Sequence, residues 1–294
     1  MWANYHCHTN FCDGKRSVND VVAEAKSKGM LALGLSSHAP VPFETKWCMK
    51  RERLDDYLKE IKEARLLAGS MQVYAGLEID FIPDKISPLS FKDQLDYTIG
   101  SVHFVDEYPD GHGWEIDNTY DVFMDGLKTV FGGSIRKAIH RYFSLTRQMI
   151  ETATPDIVGH IDKIKMHNRG DHFYMEDEPW YKSEVDQTLD AVAKSGCIIE
   201  VNTRGLYQSR TDTAYPSPWI LERILERNIP VTLSSDAHHP DDLVNRFPEV
   251  ATELLSLGFK KLRILLDGRW TDVAFTENGI ISPGNHNITN NKMA

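Results

Sequence analysis

Two stretches decide how this chain is read: Ala3-Asn4-Tyr5-His6-Cys7-His8 near the start, and Pro230-Val231-Thr232-Leu233-Ser234-Ser235-Asp236-Ala237-His238 near the end. Each is a short apolar run closing on two metal-ligating side chains spaced i, i+2. On a strand such residues leave the same face with Cα atoms roughly 7 Å apart, so His6 and His8 can grip one metal ion. Asp236 and His238 repeat the arrangement. Cys7, between the two histidines, faces the other way and is not expected to be a ligand.

Working outward, similar runs recur at Leu31–His38, Gln72–Asp80, Asp96–His103, Asp156–Asp162 and Cys197–Asn202, with an eighth at Lys261–Leu266. Most are continuous in Ile, Val and Leu, as in strands buried on both faces. Helical patterns lie between them. Ser17 with Asp20 forms a capping-box pattern and Gly29 closes that helix. Arg51–Ala68 places Leu54, Leu58, Ile61 and Leu67 on one face ahead of Gly69. Ser183 and Gly196 bracket Val185, Leu189 and Val192, and Ser217-Pro218 reads as an N-cap with proline at the first helical position. Strand–helix alternation repeated about seven times implies right-handed crossovers and a parallel sheet. An open doubly wound sheet and a closed barrel both satisfy that pattern.

The segment from 104 to 155 is too long for a simple connection and is expected to be an excursion carrying two or more helices, Tyr120–Lys128 and Ile135–Thr152 among them. Residues 1–280 are expected to form one domain, with the polar, Asn-rich residues 281–294 as a frayed tail.

The chain has 294 residues, 41% hydrophobic and 26% charged, which is ordinary for a globular protein and excludes disorder and coiled coil. Its 33 basic against 43 acidic residues give a net charge of −10. That charge repels a phosphate backbone, so no nucleic-acid partner is expected. No apolar run approaches the roughly 20 residues of a membrane-spanning helix. With no secretory leader visible and four cysteines in no CxxC pair, a cytoplasmic protein with reduced thiols and no membrane partner is expected. Nothing in the sequence chooses between monomer and homodimer.

Of twelve histidines, His6, His8, His38, His103, His160 and His238 fall at the C-terminal ends of expected strands. Asp13, Glu78, Asp80, Asp162 and Asp236 occupy matching places. In parallel α/β folds that end of the sheet binds ligands. Core packing would require a separate buried partner for each histidine. Imidazole and carboxylate without clustered thiolate suit zinc, manganese or iron. So many donors exceed one tetrahedral site and point to two or three divalent ions, which fits phosphoester hydrolysis. His112, His140, His167, His172, His239 and His286 read as surface or supporting residues.

The order His6-x-His8 … Asp13 … His38 … Glu78 … His103 … His160 … Asp236-x-His238 resembles the polymerase and histidinol phosphatase (PHP) superfamily. Further stretches resemble its histidinol-phosphate phosphatase branch: Gly100-Ser101-Val102-His103-Phe104, Trp114-x-Ile116-Asp117, Phe131-Gly132-Gly133, Gly159-His160-Ile161-Asp162-Lys163 and Glu200-Val201-Asn202-Thr203-Arg204-Gly205. The resemblance implies a distorted (β/α)7 barrel with a trinuclear metal site at the C-terminal face of its strands. One metal would take His6, His8, Glu78 and Asp236. A second would take the bridging Glu78 with His103 and His160, and a third Asp13, His38 and His238. Asp13 stands where many members have histidine.

The implied activity is that of a phosphomonoesterase acting on L-histidinol phosphate in histidine biosynthesis, through attack by a metal-bridging hydroxide. Arg204 would hold the phosphate, with Ser101 and Lys163 as further candidates. Asp236 or His238 would handle the proton of the leaving oxygen. The substrate's ammonium would meet one of Asp80, Glu115, Asp117 and Asp162. Other readings are a phosphoesterase of the same superfamily acting on a nucleotide or another small phosphoester, an amidohydrolase, and a non-catalytic metal-binding module. Amidohydrolases typically bridge their metals with a modified lysine where this chain offers Glu78.

Overall fold

The computed structural model of the chain describes residues 1–281; the expected tail, Ile281 apart, and His286 lie outside them. The chain enters with β1 (Ala3–Asn4) and turns through segment 6–16, which carries His6, His8 and Asp13, into α1 (Val18–Ser27). That helix starts where the sequence says it should. Ser17 Oγ accepts from Asp20 N–H while the Asp20 carboxylate accepts from Ser17 N–H, and Gly29 adopts a φ of 64° beyond the C-cap.

Then come β2 (Ala32–Leu35), α2 (Leu54–Leu67), β3 (Gln72–Asp80) and β4 (Tyr97–Ser101). α2 buries Leu54, Tyr57, Ile61 and Ala64. Leu67 is exposed instead of sharing that face, because thirteen residues from Leu54 at ~100° per residue carry it around the axis.

The excursion after β4 holds an antiparallel hairpin, β5 (Phe104–Glu107) and β6 (Gly113–Glu115), before α3 (Tyr120–Phe131) and α4 (Ile135–Ala153). The helices match the sequence pattern. The hairpin does not follow from it, since its strands are only four and three residues long.

β7 (Ile157–Val158), α5 (Pro179–Ser195), β8 (Ile198–Asn202), a short α6 (Arg204–Tyr207), α7 (Pro218–Glu226) and β9 (Val231–Ser234) complete the alternation. α5 begins at Pro179 with Glu178 as N-cap, one turn before the expected Ser183, because proline with its fixed φ is already suited to the first helical position.

The seven strands β1, β2, β3, β4, β7, β8 and β9 pair in that order, all in parallel. A parallel bridge between Cys7 and Ala237 joins the first strand's extension to the last. His8 N–H donates to Ala237 O at 2.8 Å and Ala237 N–H to His6 O at 3.3 Å. The sheet is therefore a nearly closed seven-stranded barrel, not an open doubly wound one.

The chain ends with α8 (Phe247–Leu257), β10 (Lys261–Leu266), β11 (Arg269–Thr276) and β12 (Gly279–Ile280). The eighth run is thus a strand, but it heads a separate antiparallel sheet. That sheet sits under the barrel: Tyr5 Oη donates to Leu265 O and accepts from Leu265 N–H, both at 2.9 Å.

Tyr97 fills the barrel's lower end, its hydroxyl donating to Tyr5 O at 2.6 Å. The ring lies directly over Gly34 and Gly76, where any Cβ would fall among its atoms. Glycine at these two positions is what lets a tyrosine close the floor.

Candidate metal centre

Strand periodicity builds the upper end. On β3, Gly76, Glu78 and Asp80 share one face, and on β8 Ile198, Glu200 and Asn202 do the same. The ladder register sets Glu78 beside Ile99 and Asp80 beside Ser101 on β4. His6 and His8 follow β1, and Asp236 and His238 follow β9, brought together by the Cys7–Ala237 bridge. Asp236 sits in the left-handed region, φ 51°, where the chain leaves its strand. Aspartate tolerates that conformation better than most residues. Cys7 points away, as expected, its thiol donating to Gly34 O.

The nine residues named as ligands converge. Glu78 Oε2 lies 3.1 Å from His6 Nε2, 3.5 Å from His8 Nε2 and 3.0 Å from His38 Nδ1. Glu78 Oε1 lies 2.9 Å from His160 Nε2 and 3.6 Å from His103 Nε2. One carboxylate thus faces two sets of imidazoles with its two oxygens, the disposition of a bridge. Asp236 Oδ1 is 3.1 Å from His8 Nε2 and 3.7 Å from His6 Nε2. Asp13 Oδ2 is 3.1 Å from His238 Nε2, and Asp13 Oδ1 is 3.9 Å from both His8 Nδ1 and His38 Nε2.

Three groups bring donor atoms within 4.8 Å of one another: His6, His8 and Asp236; His38, Glu78 and His103; and His8, Asp13, His38 and His238. His8 and His38 each belong to two groups, so the ligands are shared more widely than the three sets that the resemblance implies.

Buried side-chain atoms without a hydrogen-bond partner include His6 Nε2, His8 Nε2, Asp13 Oδ1, His38 Nδ1, Glu78 Oε2, His103 Nε2 and His160 Nδ1. Each such group costs on the order of 1–3 kcal/mol when left unpaired. All but His160 Nδ1 are among the cluster's facing atoms, and divalent cations would satisfy them together. The donor set therefore fits the group it implies.

Electrostatics agree. Burial alone would raise the Glu78 and Asp236 carboxyls. Instead His6, His38 and His103 hold Glu78, and His6, Arg204, His8 and Lys163 hold Asp236, well below the ordinary carboxylate range.

Above the cluster opens a cleft of about 230 Å³ lined by Asp13, His38, Trp47, Glu115, Asp117, Asn118, Lys163, Arg204, Arg210, Asp236 and His238. Arg204 starts α6 directly after β8 and points into this mouth, Nη1 donating to Asp236 O at 2.7 Å. Lys163 Nζ pairs with Asp117 Oδ2 at 3.2 Å. Burial would lower the Lys163 ammonium, but Asp117, Asp236 and Glu78 push it above its ordinary value. Burial would raise Asp117, yet Lys163 and His103 draw it down.

Glu115 also lines the cleft, accepting from Trp47 Nε1–H at 3.3 Å and from Asn118 Nδ2 at 2.8 Å. The other substrate candidates face elsewhere. Ser101 Oγ donates to Glu78 Oε1 at 2.7 Å. Asp80 accepts from His103 N–H at 2.8 Å and lies 3.1 Å from its Nδ1. Asp162 is fully buried, accepting from Ser217 N–H at 2.9 Å and pairing with Lys165 Nζ at 2.8 Å.

Three groups in or behind the cleft are given no role by the sequence reading. Trp47 lies edge-on to His38 with ring centroids 4.5 Å apart and stacks on Phe104 at 5.4 Å. Arg210 adds a third cation at the rim. Glu200 lies behind His6, its Oε1 2.6 Å from His6 Nδ1. Only Glu200 had a readable signal, a carboxylate inside the apolar run Ile198-Ile199-Glu200-Val201.

A parallel barrel with a shared histidine–carboxylate cluster at its C-terminal mouth is the frame of a metal-dependent hydrolase. The chain belongs to the PHP domain family, whose model matches residues 4–204. It is 29% identical over 260 residues to a probable histidinol-phosphatase of Deinococcus radiodurans, covering 86% of this chain and 92% of that protein. It is 26% identical to the histidinol-phosphatase of Bacillus subtilis over 81% and 94% of the two.

Among solved structures, a putative histidinol phosphatase of Listeria monocytogenes superposes with a TM-score of 0.74 at 21% identity, over 84% of this chain and 99% of that one. Histidinol phosphate phosphatase of Lactococcus lactis, solved with zinc, L-histidinol and phosphate, superposes with a TM-score of 0.68 at 18% identity, over 96% and 99%. Both share the barrel. No helix among the described residues is long and apolar enough to cross a membrane.

Proposed function

We propose that this chain is a metal-dependent phosphomonoesterase that releases phosphate from L-histidinol phosphate, a reaction of histidine biosynthesis. The observation carrying the reading is a single cleft. It sets Lys163, Arg204 and Arg210 and the carboxylates Glu115 and Asp117 around the mouth of a histidine–carboxylate cluster. A phosphomonoester dianion with a cationic tail needs both signs of charge. The relatives named histidinol-phosphatase support the same substrate.

In this reading two to three divalent ions (zinc, manganese or iron) are held by His6, His8, Asp13, His38, Glu78, His103, His160, Asp236 and His238. Bound there, they would polarise phosphoryl oxygens and make water acidic enough to attack near neutral pH. The chain's own residues do the rest. Arg204 and Lys163 neutralise and orient the phosphate. Asp236, held ionised by its neighbours, has no proton to give, and burial keeps the His238 imidazole neutral near pH 7, so the leaving alkoxide takes its proton from water in the cleft. Glu115, beside the Trp47 ring, seats the ammonium. Ser101 and Asp80 serve as supports of Glu78 and His103, and Asp162 as a structural anchor. Residues 1–280 act as one domain.

The test is steady-state phosphate release by metal-analysed protein from L-histidinol phosphate, p-nitrophenyl phosphate and a short thymidine oligonucleotide. The expected result is a kcat/KM of about 10⁴ M⁻¹s⁻¹ or more for the first, well above the others. Slow turnover of all three by metal-replete protein would remove the substrate and keep the hydrolase. Preference for the oligonucleotide would move the reading to a nucleotide-directed member of the family.

A further inference from the structure

The cluster is not uniform in what lies behind its histidines. Glu200 is fully buried on β8. Its Oε1 lies 2.6 Å from His6 Nδ1, while its Oε2 accepts from His160 N–H at 2.8 Å and Asn202 Nδ2 at 3.1 Å. A carboxylate oxygen only accepts, so Nδ1 carries a proton, and Nε2 is the nitrogen that would turn its lone pair to a cation held between His6, Glu78 and Asp236. Asp80 stands in the same relation to His103, accepting from its backbone N–H and lying 3.1 Å from Nδ1, with Nε2 turned to Glu78. Such backing fixes the tautomer and raises the basicity of the outer nitrogen.

The corner made by Asp13, His38 and His238 differs at each of these points. Both nitrogens of His38 face cluster carboxylates, Nδ1 toward Glu78 and Nε2 toward Asp13, so nothing outside the cluster sets its tautomer. His238 Nδ1 meets two partners of opposite kind, Arg204 Nη1 at 2.6 Å, which can only donate, and the Asp236 carbonyl oxygen at 3.0 Å, which can only accept. Its tautomer is therefore not fixed, while its Nε2 faces Asp13 Oδ2 at 3.1 Å. Exposure follows the same division. The Asp13, His238 and His38 side chains are 30%, 13% and 10% exposed, against 0–1% for His6, His103 and Glu78.

We propose that Glu200 and Asp80 are positioning residues that make the metal centre unequal, with ions on the His6 and His103 side held tightly and the ion at the Asp13–His38–His238 corner exchanging freely. The proposal rests on reading the cluster as a metal centre. It adds an order of release and the residues that set it.

The experiment loads the full chain with Zn²⁺ and measures the equivalents retained after equilibration against a graded series of chelator concentrations, alongside the melting temperature of the metal-free protein. In the unsubstituted protein one equivalent is expected to leave well before the others. Glu200→Gln should weaken the late-leaving equivalents by about 10–100-fold, with the early step unmoved and the fold retained in the metal-free state. Asp80→Asn makes the same prediction through His103 and takes over should Glu200→Gln fail to fold. A residue that merely braced the barrel would shift both steps together. Simultaneous release of all equivalents, an equal shift of early and late steps, or unchanged affinity in both variants would overturn the proposal. A chain that takes up no Zn²⁺ would remove the metal reading along with it.

Discussion

The two ends of the barrel are made from the same seven strands, and they treat polar groups in opposite ways. At the lower end, Tyr97 lies over Gly34 and Gly76, and Tyr5 and Trp270 pack around it. Each tyrosine hydroxyl there has a partner, Tyr97 to Tyr5 O and Tyr5 to Leu265. At the upper end, His6, His8, Glu78, His103, His160 and Asp236 are just as buried, yet the cluster's facing atoms include many with no partner. One end satisfies itself, and the other is complete only with cations it does not make. Stability is concentrated at the floor and chemistry at the mouth, because unpaired buried polar groups cost free energy that a purely structural site has no reason to carry.

Glu78→Gln tests that division most severely. Removing the bridging charge should lower metal affinity by more than about 100-fold, beyond the range for a supporting residue, and abolish turnover while the metal-free fold persists. Full metal retention, measured by elemental analysis, would end the bridging assignment. Arg204→Met comes next: losing a charged hydrogen bond of about 1.5–3 kcal/mol should cut kcat/KM by roughly 10–100-fold, with metal content at saturation unchanged. Equal activity would take Arg204 out of the mouth.

At the floor, Gly76→Ala forces a Cβ into the Tyr97 ring and should destabilise the fold by about 1–3 kcal/mol, seen in denaturant unfolding. Metal binding should stay near its unsubstituted value, and a large loss would show that floor and mouth are coupled.

The smallest effect concerns Lys163 and Asp117. The folded pKa of Asp117 lies below its ordinary value, so its contribution is present above about pH 4 and lost as pH falls through the depressed value. The folded pKa of Lys163 lies above its ordinary value of about 10.4, so its contribution is lost only as pH rises through the elevated one. In the metal-free protein the stability difference between the unsubstituted chain and Asp117→Asn should therefore be level from about pH 5 to 6 and shrink toward pH 9, as His103, whose folded pKa is raised to about 9 with Asp117 contributing, loses its proton. A difference that grows between about pH 6 and 9 would break that reading.

Much of this was legible in the residue order. The strand runs and the caps at Ser17, Gly29 and Gly196 depend on neighbours a few positions away, so they survive reading without coordinates. His6, His8, Glu78, His103, His160, Asp236 and His238 stood out because each ends an apolar run, where the chain must emerge at the barrel mouth. The β5–β6 hairpin escaped because strands that short leave almost no periodic signal. Ser101, Asp80 and Asp162 were drawn toward the substrate from sequence, since nothing local says that their partners are Glu78, His103 and Ser217, 23 to 55 positions away.

What the sequence determined by itself, then, was the repeating strand–helix order, the choice of histidine and carboxylate at the strand ends, and so the class of chemistry. Alternation and capping are short-range and encoded residue by residue. Only the tertiary structure decided that the sheet closes, which carboxylates reach the cleft, that Trp47 walls it, and that Glu200 stands behind His6 while Arg204 stands behind His238. These are pairings between strands far apart in the chain. Barrel closure and register determine them, and no local pattern records which side chains will meet across it.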